Sequence, residues 1–288
     1  MVKSFFIFTK IPLTNVFFIV NLCIWYTKYI LWEVIMKVSL IQCELKMGDV
    51  KKNFEIIEEK IRNAMLDNPD VIVLPEMWNT SFFPSNVIDI CDKDGEKSRK
   101  LLSKLAEELN VNIIGGSVSN LLNGELYNTA YVYNRDGKEI ANYNKAHLFS
   151  PSGEDNIFQK GDKLVTFEID GIKCGIVICY DIRFLEWIRK YALEDIKILF
   201  NSAAWPAKRS VHWDVLNRAR AIENQMFVVC VNSVGDFGGH SAIIDPWGEY
   251  IIEPNESNET KTGELDLTII NDIRDSINVF KDRRPELY

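Results

Sequence analysis

The sequence predicts an α/β fold, a β-rich core covered by helices, that forms one domain over residues 36–288. Strand-like apolar runs alternate with amphipathic helix patterns throughout this segment. No Gly/Ser linker, low-complexity tract or charge block divides it. The chain has 288 residues, of which 47% are hydrophobic and 26% charged, and this composition is typical of a globular protein with a substantial core.

The first half of the segment begins with a predicted strand over residues 37–43. The apolar run 71–76 (VIVLPE) predicts a buried strand that ends in a proline and a carboxylate. A further strand is expected at 111–118, and a hairpin then joins 129–133 to 138–143. Two helices lie between the strands, because apolar residues recur there every three or four positions. Their apolar faces consist of Phe54, Ile57, Ile61 and Ala64, and of Leu101, Leu105 and Leu109.

The second half repeats this alternation. Two strands, 164–169 and 172–179, flank a tight turn, and an amphipathic helix is expected at 184–192. A buried strand at 197–202 precedes a helix at 209–223. The remaining strand patterns lie at 226–234, 241–246, 250–254 and 263–269.

Residues 1–35 differ from the rest of the chain. No charged residue lies between Lys10 and Lys28, which leaves a 17-residue window rich in Phe, Ile and Val. That length is the lower limit for a transmembrane helix, and Pro12 and two asparagines weaken the pattern. Three interpretations stay open: translation begins at Met36, the extension is a membrane-associated anchor, or it is an ordered extension of the domain.

The charge and cysteine content exclude some classes of function. A net charge of −8 and a pI near 5.1 argue against a nucleic-acid partner, since phosphate binding needs a basic surface. None of the six cysteines forms a CxxC pair, and a chain of this length needs no disulfide scaffold, which indicates a reducing, cytoplasmic location. The three histidines show no metal-ligand spacing.

Cys179 is the first candidate for chemistry. It ends the apolar strand pattern IKCGIVIC and precedes a helical pattern. A nucleophile on a strand-to-helix turn faces the substrate, and the N–H of the next residue, Tyr180, is placed to receive an oxyanion. The positive end of the helix is also expected to favour the thiolate. A buried core cysteine is the alternative, and position alone does not overturn it.

Two charged residues follow or interrupt apolar runs. Glu76 comes directly after VIVLP, and a carboxylate that is desolvated there is a candidate general base. Lys145, within YNKAHLF, is either a semi-buried cation or an amphipathic side chain that reaches water. Taken singly, a surface position explains each of them better.

The three positions together resemble a known pattern. LPEMW around Glu76, YNKAHLF around Lys145 and VICYDIRF around Cys179 are similar, in kind and in order, to the three motifs of the nitrilase (carbon–nitrogen hydrolase) superfamily. The resemblance runs from Met36 to the C-terminus. It implies a four-layer αββα sandwich and a hydrolase acting on carbon–nitrogen bonds other than peptide bonds, with a Glu-Lys-Cys triad, no metal and no organic cofactor.

The resemblance also implies roles for individual residues. Glu76 corresponds to the general base, Lys145 to the cation that stabilises the oxyanion, and Cys179 to the nucleophile. Glu154, in GEDNIFQKGD, is similar to a second glutamate that many members place near the triad, although a solvated glutamate fits the sequence about equally well.

Residues beside these motifs carry further predictions. Asp181 and Arg183 are expected to form an ion pair that fixes the turn; alternatively, the Arg183 guanidinium binds a substrate carboxylate. Trp205, at the end of KILFNSAAW, is expected to wall the pocket. His147 and His240 are expected to be structural, because the triad contains no histidine, and a Cys–His protease is the competing scheme.

The C-terminal SINVFKDRRPELY and the CYDIRF block resemble the ω-amidase branch of the superfamily. This resemblance implies that the substrate is the side-chain amide of an α-keto acid such as 2-oxoglutaramate, that ammonia leaves through a Cys thioester, and that the protein is a homodimer or a larger homo-oligomer. An N-carbamoyl amine hydrolase and a nitrilase on the same scaffold stay open as alternatives. A non-catalytic interaction protein is disfavoured, because nothing structural demands an intact Glu-Lys-Cys set.

Overall fold

The computed structural model describes residues 35–82 and 84–288. The predicted N-terminal extension, residues 1–35, lies outside this part of the chain except for Ile35, which begins the first strand. Within the described residues, no helix has both the length and the apolar character that crossing a membrane requires.

The strands form two sheets. The first sheet contains β1 (Ile35–Gln42), β2 (Val71–Val73), β3 (Asp92–Lys93), β4 (Asn112–Ile114), β5 (Val118–Leu122), β6 (Glu125–Tyr133), β7 (Glu139–Asn144) and β14 (Glu259–Asp266). The second sheet contains β8 (Thr166–Ile169), β9 (Ile172–Ile178), β10 (Ile198–Ala203), β11 (Phe227–Asn232), β12 (Ala242–Ile244) and β13 (Tyr250–Ile252).

The strand order brings several strand ends to one edge. The order is β14-β1-β2-β4-β6-β5-β3 in the first sheet, where β7 also pairs with β6, and β13-β12-β11-β10-β9-β8 in the second. β9, β10 and β11 are parallel, so their carboxyl ends lie side by side. Cys179 follows β9 at this edge, and Ala204 and Trp205 follow β10.

Helices cover the outer faces of both sheets. They are α1 (Val50–Ala64), α2 (Val87–Ile90), α3 (Glu96–Leu109), α4 (Leu185–Leu193), α5 (Ser210–Asn224) and α6 (Ile269–Ser276). Successive residues of a strand point to opposite faces. Accordingly, Val71 and Val73 of β2 belong to the core between the sheets, whereas Ile72 and Leu74 pack with Ile57 of α1.

The layers are therefore helix, sheet, sheet and helix. The core between the sheets joins Leu40 of β1 to Phe200 of β10, and it continues to Ile188 of α4 and Trp213 of α5 beyond the second sheet. Each of these side chains is fully buried, and burial of a large apolar side chain contributes about 1.5–3 kcal/mol. The predicted α/β class and the four-layer αββα sandwich are confirmed.

Two predicted strands have different boundaries in the structure. The expected strand at 111–118 is two strands, β4 and β5, that are interrupted at Gly116. This residue has φ +59°, and a Cβ there would collide with the Pro75 carbonyl oxygen, so the close passage of the two segments requires glycine. β2 ends at Val73, before the predicted end at Glu76, and Glu76 lies in the loop beyond the strand.

Candidate active site

Three chemically distinctive side chains converge where strands end. Glu76 lies shortly after β2, Lys145 directly after β7 and Cys179 directly after β9. The Lys145 Nζ is 2.7 Å from the Glu76 Oε1, and both side chains are completely buried. The Cys179 thiol is buried beside them, close enough that the Glu76 charge acts on its pKa. The structure thus brings together all three residues of the predicted triad.

The Glu76 carboxylate is held from both sheets. Asn128 of β6, in the first sheet, donates its Nδ2–H to Oε1 at 2.8 Å. The backbone N–H of Ala204, which follows β10 of the second sheet, donates to Oε2 at 2.7 Å. With Lys145 as a third donor, both carboxylate oxygens are fixed in one orientation.

Glu154 is the fourth charged residue of the cluster. It lies in a short 3₁₀ segment, Glu154–Asn156, and its side chain is completely buried. Its Oε2 and Oε1 atoms are 2.9 and 3.1 Å from the Lys145 Nζ, and Oε2 also accepts the Phe149 N–H at 2.6 Å. Of the two interpretations of Glu154, the structure therefore contradicts the solvated one.

Burial and neighbouring charges govern protonation in the cluster. Burial lowers the pKa of the Lys145 ammonium, but the carboxylates of Glu154 and Glu76 outweigh this effect and raise that pKa above its ordinary value. Burial raises the pKa of Glu154 against the opposing influence of Lys145. The pKa of the Cys179 thiol is raised well above its ordinary value, first by burial and then by the Glu76 charge. The sulfur must therefore lose a proton to a base before it can attack.

The turn at Cys179 differs from the expected strand-to-helix turn. Residues Cys179–Arg183 form a 3₁₀ segment, and α4 begins only at Leu185. The prediction that a helix terminus stabilises the thiolate is wrong, because Cys179 does not stand at the end of α4 and burial instead raises its thiol pKa. Its φ of +49° lies in the left-handed region, which costs a residue with a Cβ roughly 1–2 kcal/mol.

A chain of amides supports this strained position. The Cys179 N–H donates to the Asn201 Oδ1 at 2.9 Å. The Asn201 Nδ2–H donates to the Asn217 Oδ1 at 3.0 Å, and the Asn217 Nδ2–H donates to the Trp213 carbonyl at 2.9 Å. The turn is thereby connected through β10 to α5, and the Cys179 N–H already has an acceptor.

Asp181 joins the Cys179 turn to the Lys145 loop. Its buried carboxylate accepts the Tyr143 hydroxyl at 2.7 Å, the His147 N–H at 2.8 Å and the Ile178 N–H at 3.0 Å, and it lies 2.7 Å from the His147 Nδ1. The predicted ion pair with Arg183 is wrong, because Tyr143, His147 and Ile178 use the carboxylate and the Arg183 guanidinium stacks elsewhere. His240 also pairs with a carboxylate outside the cluster: its Nδ1 lies 3.0 Å from the Asp214 Oδ2. The Nδ1 atoms of both histidines are thus paired with aspartates and not with Cys179.

A narrow pocket leads to Cys179. The Arg183 guanidinium lies 4.6 Å from the Trp205 ring centroid, and the Arg209 guanidinium lies 4.9 Å from the Phe149 ring centroid. The lining consists of Phe82, Phe149, Cys179, Tyr180, Arg183, Ala204, Trp205, Pro206 and Arg209. Trp205 is thus part of the pocket wall, and two cations lie on the approach to the thiol.

Comparison with known proteins gives the family. The family model for carbon–nitrogen hydrolases matches residues 37–275. This chain belongs to the carbon–nitrogen hydrolase family.

Individual relatives of this carbon–nitrogen hydrolase agree with the assignment. The chain is 40% identical over 260 residues to the 2-oxoglutaramate amidase of Bacillus subtilis (strain 168), and the aligned region covers 87% of this chain and 98% of that protein. It is 32% identical over 246 residues to the omega-amidase NIT2 of Homo sapiens, covering 79% and 88%. Saccharomyces cerevisiae Nit3, a member of branch 10 of the nitrilase superfamily, matches with a TM-score of 0.81 at 28% identity and covers 87% of this chain and 97% of its own.

These matches confirm the predicted superfamily and the class of enzyme, a hydrolase of carbon–nitrogen bonds other than peptide bonds. Sequence reasoning missed three polar residues of the hydrolase site: Asn128, Asn201 and Arg209. Asparagines give no periodic signal, and their partners are distant in the chain, 52 positions away for the bond from Asn128 to Glu76. The position of Arg209 just beyond Trp205 was the one available clue.

Proposed function

We propose that this carbon–nitrogen hydrolase is an ω-amidase, which hydrolyses the side-chain amide of a small α-keto acid such as 2-oxoglutaramate. One observation carries the proposal: the Cys179 thiol adjoins Glu76 and Lys145 at the base of a pocket whose wall carries the guanidinium groups of Arg183 and Arg209. The identity to a 2-oxoglutaramate amidase over nearly that protein's whole length supports the choice of substrate.

In the first half-reaction, Glu76 takes the thiol proton and the sulfur attacks the amide carbon. The oxyanion is stabilised by Lys145 and by the Tyr180 N–H, since the Cys179 N–H already donates to Asn201. Loss of one such donor typically costs about 10²–10³ in rate. Glu76 then gives its proton to the leaving nitrogen, the C–N bond breaks, and ammonia departs from a thioester.

In the second half-reaction, water attacks the thioester carbon while Glu76 accepts one of its protons. The C–S bond then breaks, the keto acid leaves with a new carboxyl group, and Glu76 returns the proton to sulfur. Lys145 has three N–H donors. One is directed to Glu76 and one is shared between the two oxygens of Glu154, so the third serves the oxyanion in both half-reactions.

The charges around the pocket favour an anionic substrate. Arg183 and Arg209 are close enough that the Arg209 charge, together with the larger effect of burial, lowers the pKa of Arg183. Among the described residues, neither guanidinium lies within 4.0 Å of a carboxylate. Two neighbouring cations without a counter-ion stabilise a bound anion. The carboxylate of an α-keto acid, several bonds away from the ω-amide, would supply that anion.

A substrate panel tests this assignment. Ammonia release is measured with 2-oxoglutaramate, a cationic N-carbamoyl amine and an uncharged aliphatic nitrile, each with wild type and Cys179→Ala. We expect turnover of 2-oxoglutaramate that Cys179→Ala abolishes, because the guanidinium pair attracts the anion and repels the cation. Turnover of the carbamoyl amine alone would overturn the substrate but not the triad. Equal alkylation of Cys179 and the other cysteines in the wild type would favour a non-catalytic protein.

We further propose that the protein is a homo-oligomer that associates through α5. Val211, Val215 and Ile222 are exposed on this helix, and the half-exposed Trp247 lies in the adjoining turn, which α5 holds through a hydrogen bond from Arg218. Exposed apolar side chains on one face of a helix favour association, and a second copy of the chain would bury them symmetrically. Light scattering of Val215→Glu should give a smaller assembly than wild type, and an unchanged mass would contradict the proposal.

The location and the domain boundary belong to the same proposal. Five cysteines of the described chain are free thiols, the state that the cytoplasm maintains. We therefore propose a cytoplasmic enzyme whose hydrolase domain is residues 36–288, preceded by a separate apolar segment at 1–35. Membrane contact would then depend on that segment, and fractionation of the full chain against a chain beginning at Met36 tests it. Equal distribution of both chains would refute a membrane role.

A further inference from the structure

We propose that Asn128 is a positioning residue that keeps Glu76 and Glu154 ionised side by side in the resting site. This inference rests on the proposed function of the triad and extends it to a residue that has no chemistry of its own. Its basis is that one neutral amide contacts both buried carboxylates. The Asn128 Nδ2 is 2.8 Å from the Glu76 Oε1 and 3.1 Å from the Glu154 Oε1.

Four polar atoms form a closed ring, and they belong to Asn128, Glu76, Lys145 and Glu154. The Lys145 Nζ contacts the same two oxygens, the Glu76 Oε1 at 2.7 Å and the Glu154 Oε1 at 3.1 Å. Nitrogen and oxygen thus alternate around the ring, and each carboxylate is bridged to the other once by an ammonium and once by an amide. All four side chains are completely buried, so no solvent screens the repulsion between the carboxylates.

Two adjacent carboxylates in a closed site ordinarily share a proton, because like charges disfavour a second ionisation. Among the residues that the structure describes, the titratable groups at the ring are Glu76, Glu154, Lys145 and the Cys179 thiol, which gives one cation for two carboxylates. A hydrogen bond to the ionised form favours ionisation. The amide supplies that bond without adding a positive charge, and Glu76 consequently remains able to accept the thiol proton.

The environment of Asn128 supports a dedicated role. Asn128 lies on β6, and its backbone carbonyl accepts the Lys145 backbone N–H at 2.9 Å. The same residue therefore holds the backbone of Lys145 and contacts both carboxylates. Its own Oδ1 is buried and accepts no hydrogen bond from the described residues. A buried acceptor without a partner opposes folding, so the bonds of the Asn128 Nδ2 to the carboxylates are made at the expense of stability.

The test compares Asn128→Ser with Asn120→Ser. Asn120 is also a buried asparagine with an unpaired Oδ1, but it lies on β5 and its Nδ2 contacts Thr129 instead of the carboxylates. Two pH profiles are recorded for each variant: kcat/KM for 2-oxoglutaramate, and the rate at which iodoacetamide labels the peptide that contains Cys179. The second profile needs no substrate, so it remains informative if the proposed substrate is wrong. Melting temperatures report the loss of stability in both variants.

We expect the acid limb of both profiles to move upward by about one to two pH units in Asn128→Ser, because the carboxylate pair then holds its proton more tightly. The value of kcat/KM near neutral pH should fall by roughly 10- to 100-fold. Asn120→Ser should lose melting temperature but keep the wild-type limbs. If Asn128→Ser fails to fold, Asn128→Val, which suits a strand and has no side-chain donor, takes its place. Wild-type acid limbs in a folded Asn128 variant would overturn the proposal, even if the rate had fallen.

Discussion

The substitution Lys145→Met isolates the electrostatics of the buried cluster. Within the described part of the chain, the ammonium is the single cation that contacts Glu76 and Glu154, and all three side chains are completely buried. With the thiol protonated and both carboxylates ionised, the cluster carries a net charge of −1, and Lys145→Met would change it to −2. Removal of one partner from a buried ion pair typically costs 3–5 kcal/mol. We expect a loss of about that size in the free energy of unfolding at pH 8, and no ammonia release.

The loss should depend on pH with a defined sign. Lys145 opposes the rise that burial causes in the pKa of Glu154. Without Lys145 this pKa rises further in the folded state, and Glu154 holds a proton that the unfolded chain releases near pH 4–5. Stability of Lys145→Met should therefore fall as the pH rises above that range, by up to about 1.4 kcal/mol per pH unit until the folded pair also ionises. The variant should thus be more stable at pH 5 than at pH 8, relative to wild type at each pH.

Urea unfolding followed by tryptophan fluorescence measures these free energies, and a second substitution provides the decisive comparison. Lys145→Met with Glu154→Gln restores the net charge to −1 and should recover more than half of the lost stability, but no activity. The matched control is Lys37→Met: the pair of Lys37 with Glu264 is 3.8 Å long and largely exposed, so its removal should change stability by less than about 1 kcal/mol. A double variant no more stable than Lys145→Met would refute the charge-balance reasoning.

Three further changes test other parts of the site. Arg183→Gln removes one pocket cation and should raise KM for 2-oxoglutaramate by about tenfold or more; an equal rise for an uncharged short-chain amide would argue against a carboxylate contact. Asn201→Leu frees the Cys179 N–H and should lower kcat by roughly 10- to 100-fold with little change in KM, so an unchanged kcat in steady-state assays would contradict a positioning role for this amide. Asp181→Asn weakens the bonds to the His147 loop and should reduce the free energy of unfolding by about 1–3 kcal/mol, and urea curves that coincide with those of wild type would show that the carboxylate is not needed.

The layer architecture could be predicted because it depends on periodic apolar patterns. The spacing of Ile57 and Ile61 fixed the buried face of α1, and both residues are fully buried. The prediction of the buried face of α3 was less accurate. Leu105 is buried as expected, but Leu102 and Ala106 are buried with it, whereas Leu101 and Leu109 are only partly buried. In a leucine-rich helix, two overlapping stripes satisfy the same spacing, and only the position of the neighbouring sheet selects one.

The site was predictable only where a local motif marks it. Glu76, Lys145 and Cys179 lie in the short motifs LPEMW, YNKAHLF and VICYDIRF, and a motif of this kind is recognisable without any knowledge of contacts. The expected pairing of Asp181 with Arg183 failed because proximity in sequence and opposite charge do not determine direction: Asp181 points toward Tyr143 and His147 of another loop. Such hydrogen bonds between distant segments depend on the packed fold, and the order of residues along the chain does not indicate them.

The central claim is that ammonia leaves from a covalent thioester on Cys179, and rapid acid quench followed by mass spectrometry tests it most directly. The enzyme is mixed with 2-oxoglutaramate, and the Cys179 peptide is examined during turnover. We expect an adduct with the mass of the substrate less ammonia, formed with the ammonia burst and absent in Cys179→Ala, which should release no ammonia. Continued ammonia release by Cys179→Ala, or an adduct on another residue, would contradict it.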